Sequence, residues 1–172
     1  MSSIEDFLHS FASNDAFKAF NYFMQEPAFI ILIAFFALGI IWLKRDKYSR
    51  LSVVISLLVT LILVTVLKQL YGDPRPCVGL PGCEPDFGFP SGHAALSFSL
   101  AMNLFGVSSF YFAILLAVLI ALSRVISGAH TFAQIAGGMI LGVLVSTTIA
   151  VILQKLREKN EEKNDKIRVF KK

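Results

Sequence analysis

The chain has 172 residues, 55% hydrophobic and 16% charged, with a formal net charge of +4 and a mean hydropathy of +0.67. A soluble domain runs about 45–50% apolar and about 25% charged, so this balance excludes a disordered chain and speaks against a water-soluble globule or a nucleic-acid binder. Two cysteines are too few for a disulfide scaffold, and the class that remains is an all-α, polytopic transmembrane helix bundle.

Residues 1–26 place Ile4, Phe7, Leu8, Phe11, Phe17, Phe20 and Phe23 mostly three or four apart, with acids and serines between them. That spacing predicts an amphipathic segment lying at the membrane interface. It lacks a basic n-region and a small-residue cleavage site, so it does not read as a signal peptide. Residues 27–154 form the expected membrane core. Apolar runs at 27–43, 51–67, 108–123 and 132–153 read as spans, and Pro27 suits a helix start. Residues 92–105 make a fifth, shorter candidate carrying Ser97, Ser99 and Asn103. Such a helix is tolerated when its polar groups face other helices. Residues 155–172 are a basic tail.

The loop Lys44–Arg50 supplies four basic residues and the tail supplies eight. With four spans between them, both segments fall on one side. Twelve of the 16 Lys and Arg residues then lie there, which predicts that this side and the C-terminus are cytoplasmic. The four others are Lys18, Lys68, Arg75 and Arg124, on the opposite side. Ionisable residues at span ends that topology does not explain are functional candidates.

Three of these converge with two histidines. Lys68 opens a loop of about 24 residues, 68–91, that holds Arg75 and runs into Pro90-Ser91-Gly92-His93; loops that long are usually functional or disordered. Ser123-Arg124 ends one span, and His130 precedes the next. Lys68, Arg75 and Arg124 can neutralise a phosphate, the arginines by bidentate contacts. Ser91, Gly92 and His93 offer N–H groups at a helix start, where the dipole favours an anion. Two histidines suit phosphoryl transfer, one attacking phosphorus and one protonating the leaving oxygen. With no clustered carboxylates and no third zinc ligand at helical spacing, the simpler expectation is a reaction without metal or other cofactor.

Taken in order, Lys68-(six residues)-Arg75-Pro76, Pro90-Ser91-Gly92-His93 and Ser123-Arg124-(five residues)-His130 resemble the three-part signature of the type 2 phosphatidic acid phosphatase family. Those proteins are integral-membrane lipid phosphatases related to vanadium haloperoxidases and bacterial acid phosphatases. The resemblance implies that His130 is the nucleophile and forms a phosphohistidine, and that His93 is the general acid. It assigns Lys68, Arg75 and Arg124, helped by Ser91 and Gly92, to the phosphate oxygens; Ser123 is left to packing or a hydrogen bond. The implied substrates are undecaprenyl pyrophosphate, phosphatidylglycerophosphate, phosphatidic acid or lipid A phosphate.

One position departs from the family. Four residues after the nucleophilic histidine the signature has aspartate, and this chain has Gln134. The spacing keeps Gln134 on the same helix face as His130. Its carbonyl oxygen can fix the imidazole tautomer, but it carries no negative charge. The expectation is a slower enzyme, or one in which Asp73 or Asp86 takes part of the role.

Cys77 and Cys83 lie six apart in the same loop; in an oxidising compartment they either close a small disulfide or stay as two thiols. Gly138-Met139-Ile140-Leu141-Gly142 permits close helix approach, within the monomer or across a dimer. The overall expectation is a lipid phosphatase of a cytoplasmic membrane with its site on the outer or periplasmic face, acting on a lipid phosphate or pyrophosphate. A phosphotransferase, a lapsed lipid-phosphate binder, and a small transporter are the rivals; clean spans weigh against the last.

Overall fold

A computed structural model describes residues 15, 28–43, 46–79, 83 and 85–170. The amphipathic segment expected over residues 1–26 lies outside the described residues except for Asp15, as does Lys18. Among the described residues there are five principal helices and no strand: α1 (Ala28–Leu43), α2 (Lys47–Tyr71), α3 (Gly92–Met102), α4 (Phe110–Ile126) and α5 (Phe132–Phe170).

Each of the five expected apolar runs is a helix, with shifted ends. α2 begins four residues before the apolar run because Asp46 caps it, its carboxylate accepting the Ser49 N–H at 2.9 Å. It ends at Gly72, whose left-handed φ of 59° lets its N–H reach the Lys68 carbonyl at 3.0 Å. α5 does not stop where its apolar stretch ends. It continues to Phe170, with Arg157–Glu161 and Lys166–Glu162 paired four residues apart along the tail. Two helices, α2 and α5, are long and apolar enough to cross a bilayer unaided. α1, α3 and α4 have 16, 11 and 17 residues, at or below the usual minimum.

The distribution of polarity is that of a protein dissolved in lipid. Trp42 is 84% exposed and Phe35 72%, whereas Lys68, Arg75, Arg124, His93, His130 and Gln134 are all buried. Water would favour the reverse; hydrocarbon favours this. Inside, α2 turns Ser52, Ser56 and Thr60 inward at four-residue intervals. Ser52 donates to Asn103 Oδ1 (3.1 Å), Asn103 Nδ2 to Ser56 (2.8 Å), and Thr60 to Ser99 (3.3 Å). Ser99 also pairs with Ser146 of α5 at 2.7 Å. These contacts join three helices where apolar packing alone gains little over lipid.

Short α3 is the hub, touching the other four helices. Its contact with α5 is backbone to backbone. A Cβ at Gly138 would overlap the Ser91 carbonyl oxygen, and one at Gly142 the Ala95 carbonyl oxygen. The GxxxG stripe is therefore spent within the monomer, and it is what brings the start of α5 against the start of α3. Gly142→Leu is expected to lower stability by about 3 kcal/mol, since helix propensity returns only about 1 kcal/mol against steric overlap with backbone. Thermal unfolding in detergent checks this, with Gly39→Leu, where a Cβ meets nothing within 4 Å, as the neutral control.

Candidate active site

Antiparallel connections bring the end of α2, the start of α3, the end of α4 and the start of α5 to one end of the bundle. From α2 comes Lys68, in the last turn, buried. The loop after Gly72 is tied across its width by Gly88 N–H donating to the Asp73 carbonyl at 2.7 Å. Within it Cys77 and Cys83 are joined as a disulfide, their Cα atoms 5.6 Å apart. Arg75 is only 3% exposed. The Asp86 carboxylate bridges Lys68 Nζ and Arg75 Nη2, and Arg75 Nε donates to the Asp86 carbonyl at 3.2 Å. Two cations seven residues apart in sequence thus converge on one anionic group. Burial by itself would raise the Asp86 pKa; the hydrogen bond and charge of Lys68, with those of Arg75, outweigh it and hold the carboxyl below its ordinary range.

At the start of α3 Ser91 is fully buried, and its N–H donates to the Gln134 carbonyl at 3.0 Å. Its hydroxyl has no hydrogen-bond partner among the described residues. His93, also buried, lies against the Phe29 ring of α1, centroids 4.2 Å apart. Gly92 is not demanded by packing, since a Cβ there would make only ordinary contact with Val64 at 3.5 Å.

His130 hangs from the end of α4. The Arg124 carbonyl accepts both the Ala129 and the His130 N–H at 3.0 Å, and Gly128 takes a φ of 71° to let the chain return. The Arg-(five residues)-His spacing is the length of that turn. On the ring, Nε2 faces Arg75 Nη1 at 3.3 Å and Nδ1 faces Gln134 Oε1 at 3.1 Å. A guanidinium only donates, so Nε2 carries the lone pair and Nδ1 the proton. The amide orientation is set in turn. Thr131 N–H donates to Gln134 Oε1 at 3.1 Å, and Gln134 Nε2 donates to the Pro74 carbonyl at 3.0 Å and to Asp73 Oδ2 at 2.7 Å.

Burial, then the Arg75 charge, push the His130 pKa down from 6.5 to about 3; Arg124 and Lys68 add to this and the Gln134 hydrogen bond opposes it. The ring is a neutral imidazole at pH 7. The sign for stability follows from proton binding. Below pH 6.5 the unfolded chain takes a proton that the folded chain refuses until about pH 3, so stability falls on acidification. About 1.5 pH units of this, near 2 kcal/mol, is expected between pH 6.5 and pH 5. Asp86 contributes nothing in that window, because a carboxyl with a lowered pKa loses its stabilisation only below its unfolded value near 3.8. Unfolding at pH 7 and pH 5 checks it, the loss shrinking in His130→Asn.

All eight residues expected at the site are at this end of the bundle; five of them, Lys68, Arg75, His130, Gln134 and Ser91, are linked there through Lys68–Asp86–Arg75–His130–Gln134 and through Ser91 to Gln134, while His93 lies against Phe29 and the Arg124 carbonyl holds the turn before His130. Ser123, whose hydroxyl donates back to the Ile120 carbonyl at 2.7 Å, serves its own helix. Asp86 and Asp73 had a single shared expectation, and the geometry separates them: Asp73 meets Gln134, Asp86 meets the cations. Gly88 was missed; a Cβ there would overlap the Gln134 amide, a constraint with no sequence signal. Among the described residues no group of three or more His, Cys, Asp or Glu side chains could hold a metal ion.

The sequence pattern of the PAP2 superfamily matches residues 49–158. The bacitracin transport permease protein BcrC of Bacillus licheniformis is 34% identical, over 75% of this chain and 74% of its own length. The fold is similar to the crystal structure of a transmembrane PAP2-type phosphatidylglycerolphosphate phosphatase from Bacillus subtilis. That likeness has a TM-score of 0.62 at 21% identity and covers 90% of this chain and 86% of the other.

Proposed function

The chain belongs to the PAP2 superfamily, and we propose that it is a membrane lipid phosphatase that removes phosphate from a lipid phosphate or pyrophosphate through a phosphohistidine on His130. The observation that carries this reading is the His130 ring itself: neutral, Nδ1-protonated, its Nε2 lone pair 3.3 Å from a buried guanidinium that would hold the phosphoryl oxygens. Nε2 attacks phosphorus in line. The bond to the lipid oxygen breaks, and His93 gives that oxygen a proton. Water, losing a proton to His93, then cleaves the N–P bond and releases phosphate. Lys68, Arg75 and Arg124 stabilise the charge on the phosphoryl oxygens, which is the larger share of the catalytic task. The Ser91 hydroxyl and the first N–H groups of α3 add donors.

An apolar groove of about 500 Å³ between α1, α3 and α4, lined by Ile33, Phe36, Leu100, Leu104, Phe112 and Leu116, offers a seat for a lipid tail. In the proposed orientation the site faces the outer or periplasmic side of a cytoplasmic membrane, with the basic C-terminal end of α5 inside. The substrate class follows the family: undecaprenyl pyrophosphate, phosphatidylglycerophosphate, phosphatidic acid or lipid A phosphate. A transport reading fits the relative's name less well with this structure. The inward hydroxyls of α2 stop at buried Val64, which separates Thr60 from Lys68.

Asp86 occupies the cations that a phosphate must take. Asp86→Asn is expected to lower KM several-fold with kcat little changed, read from steady-state kinetics. The test of function is phosphate release from a panel of these lipids in EDTA, with a short-chain phosphate ester beside them. Release from at least one lipid supports the reading, and transfer to an added alcohol marks a phosphotransferase. Phosphate binding without release from any lipid would make the chain a lapsed binder.

A further inference from the structure

We infer that Asp73 is a positioning residue that acts through Gln134, so that His130–Gln134–Asp73 replaces a direct histidine–carboxylate pair. The inference rests on the phosphohistidine reading of His130 and deepens it.

Gln134 is saturated. Its Oε1 accepts from His130 Nδ1 and from Thr131 N–H, and its Nε2 donates to Asp73 Oδ2 and to the Pro74 carbonyl. Two lone pairs and two protons are all an amide has, and every one is committed. The amide is therefore held in one orientation, with its oxygen toward the imidazole. Gly88 closes over it, for any Cβ would overlap the side chain, and the Gly88 N–H anchors the Asp73 backbone at 2.7 Å. When Nε2 attacks phosphorus, positive charge grows on the ring and Nδ1–H becomes a stronger donor. The Asp73 carboxylate draws on the amide N–H and polarises Oε1 toward the ring, so that its negative charge is felt one hydrogen bond further away.

The arrangement also explains why glutamine stands at this position. A carboxylate at 134 would turn one oxygen toward Asp73 Oδ2 and the Pro74 carbonyl, where the structure has 2.7 and 3.0 Å contacts from a donor. Two like charges at that distance do not both stay ionised and bonded. The amide and the carboxylate are a matched pair, and exchanging them tests the match.

Four proteins are compared with wild type in detergent or bilayers, measuring kcat and KM on the best lipid substrate. Asp73→Asn is expected to lower kcat about 10-fold with KM within about twofold, the size of a lost charge-assisted hydrogen bond. Gln134→Glu is expected to lower kcat about 100-fold or more. The double variant Asp73→Asn with Gln134→Glu restores a donor opposite the new carboxylate, and is expected to exceed Gln134→Glu by about 10-fold. His130→Ala is the fourth. Wild-type kcat in Asp73→Asn, or a double variant no better than Gln134→Glu, overturns the relay. If Gln134→Glu does not fold, the Asp73→Asn arm decides alone, since the change is isosteric and KM reports the intact pocket. Activity surviving in His130→Ala removes the phosphohistidine reading instead, so the two failures are told apart.

Discussion

Replacing His130 by alanine is expected to lower kcat by about 10⁴-fold or more, the loss seen when the attacking group of a covalent mechanism is removed. Binding should survive. Lys68, Arg75 and Arg124 come from other segments, and Arg75 keeps its contacts with Asp86, so KM is expected to stay within a few-fold. That split separates a nucleophile from a binding group, which would raise KM as well. The chemical signature is a protein-bound phosphate in wild type, labile to acid and stable to alkali, trapped by quenching during turnover. It should be missing from His130→Ala and present in His93→Ala, where attack still occurs on substrates whose leaving oxygen needs little protonation. A variant at position 130 that keeps turning over with a trappable phosphate elsewhere would end the assignment.

Much of this is legible in the sequence. The five apolar runs announced five helices, because in lipid the backbone has few other ways to satisfy itself. Their ends were harder. Asp46 and Ser49 form a cap three residues apart, and it carries the start of α2 four residues ahead of the apolar run. The apolar run alone places the end of α5 near residue 153. The helix continues because Arg157, Glu161, Glu162 and Lys166 support it by pairs four apart, and charge does not end a helix once it leaves the membrane. The GxxxG pattern was readable as a close contact, but its partner was not, since that depends on how α3 is inserted.

The site divides the same way. Lys68, Arg75, Ser91, His93, Arg124 and His130 were visible because each sits at a fixed distance from another within a short motif, and the turn at Arg124 shows the physical origin of one such distance. Asp73 and Asp86 could not be told apart, because their partners depend on the path of a long loop pinned by Gly88. Gln134 was visible as a departure. Its consequence was not, because the carboxylate that answers it comes from 61 residues earlier in the chain.

The second large effect is expected at Arg75. Its guanidinium uses three N–H edges at once: Nη1 toward His130 Nε2 at 3.3 Å, Nη2 to the Asp86 carboxylate, and Nε to the Asp86 carbonyl at 3.2 Å. A lysine at 75 keeps the positive charge and loses the fork, since one ammonium cannot span those directions. Arg75→Lys should therefore lower kcat/KM by about 10²- to 10³-fold, the range for one lost oxyanion donor in a dry site, although the net charge of the pocket is unchanged. Lys68→Arg is the instructive comparison. Lys68 makes one contact with Asp86, a point charge that a guanidinium can replace, and its loss should be tenfold or less. If charge alone mattered, the two conservative exchanges would cost the same. Equal effects in steady-state assays would mean that the pocket works as an unshaped cluster of cations and that the geometry around His130 Nε2 is incidental.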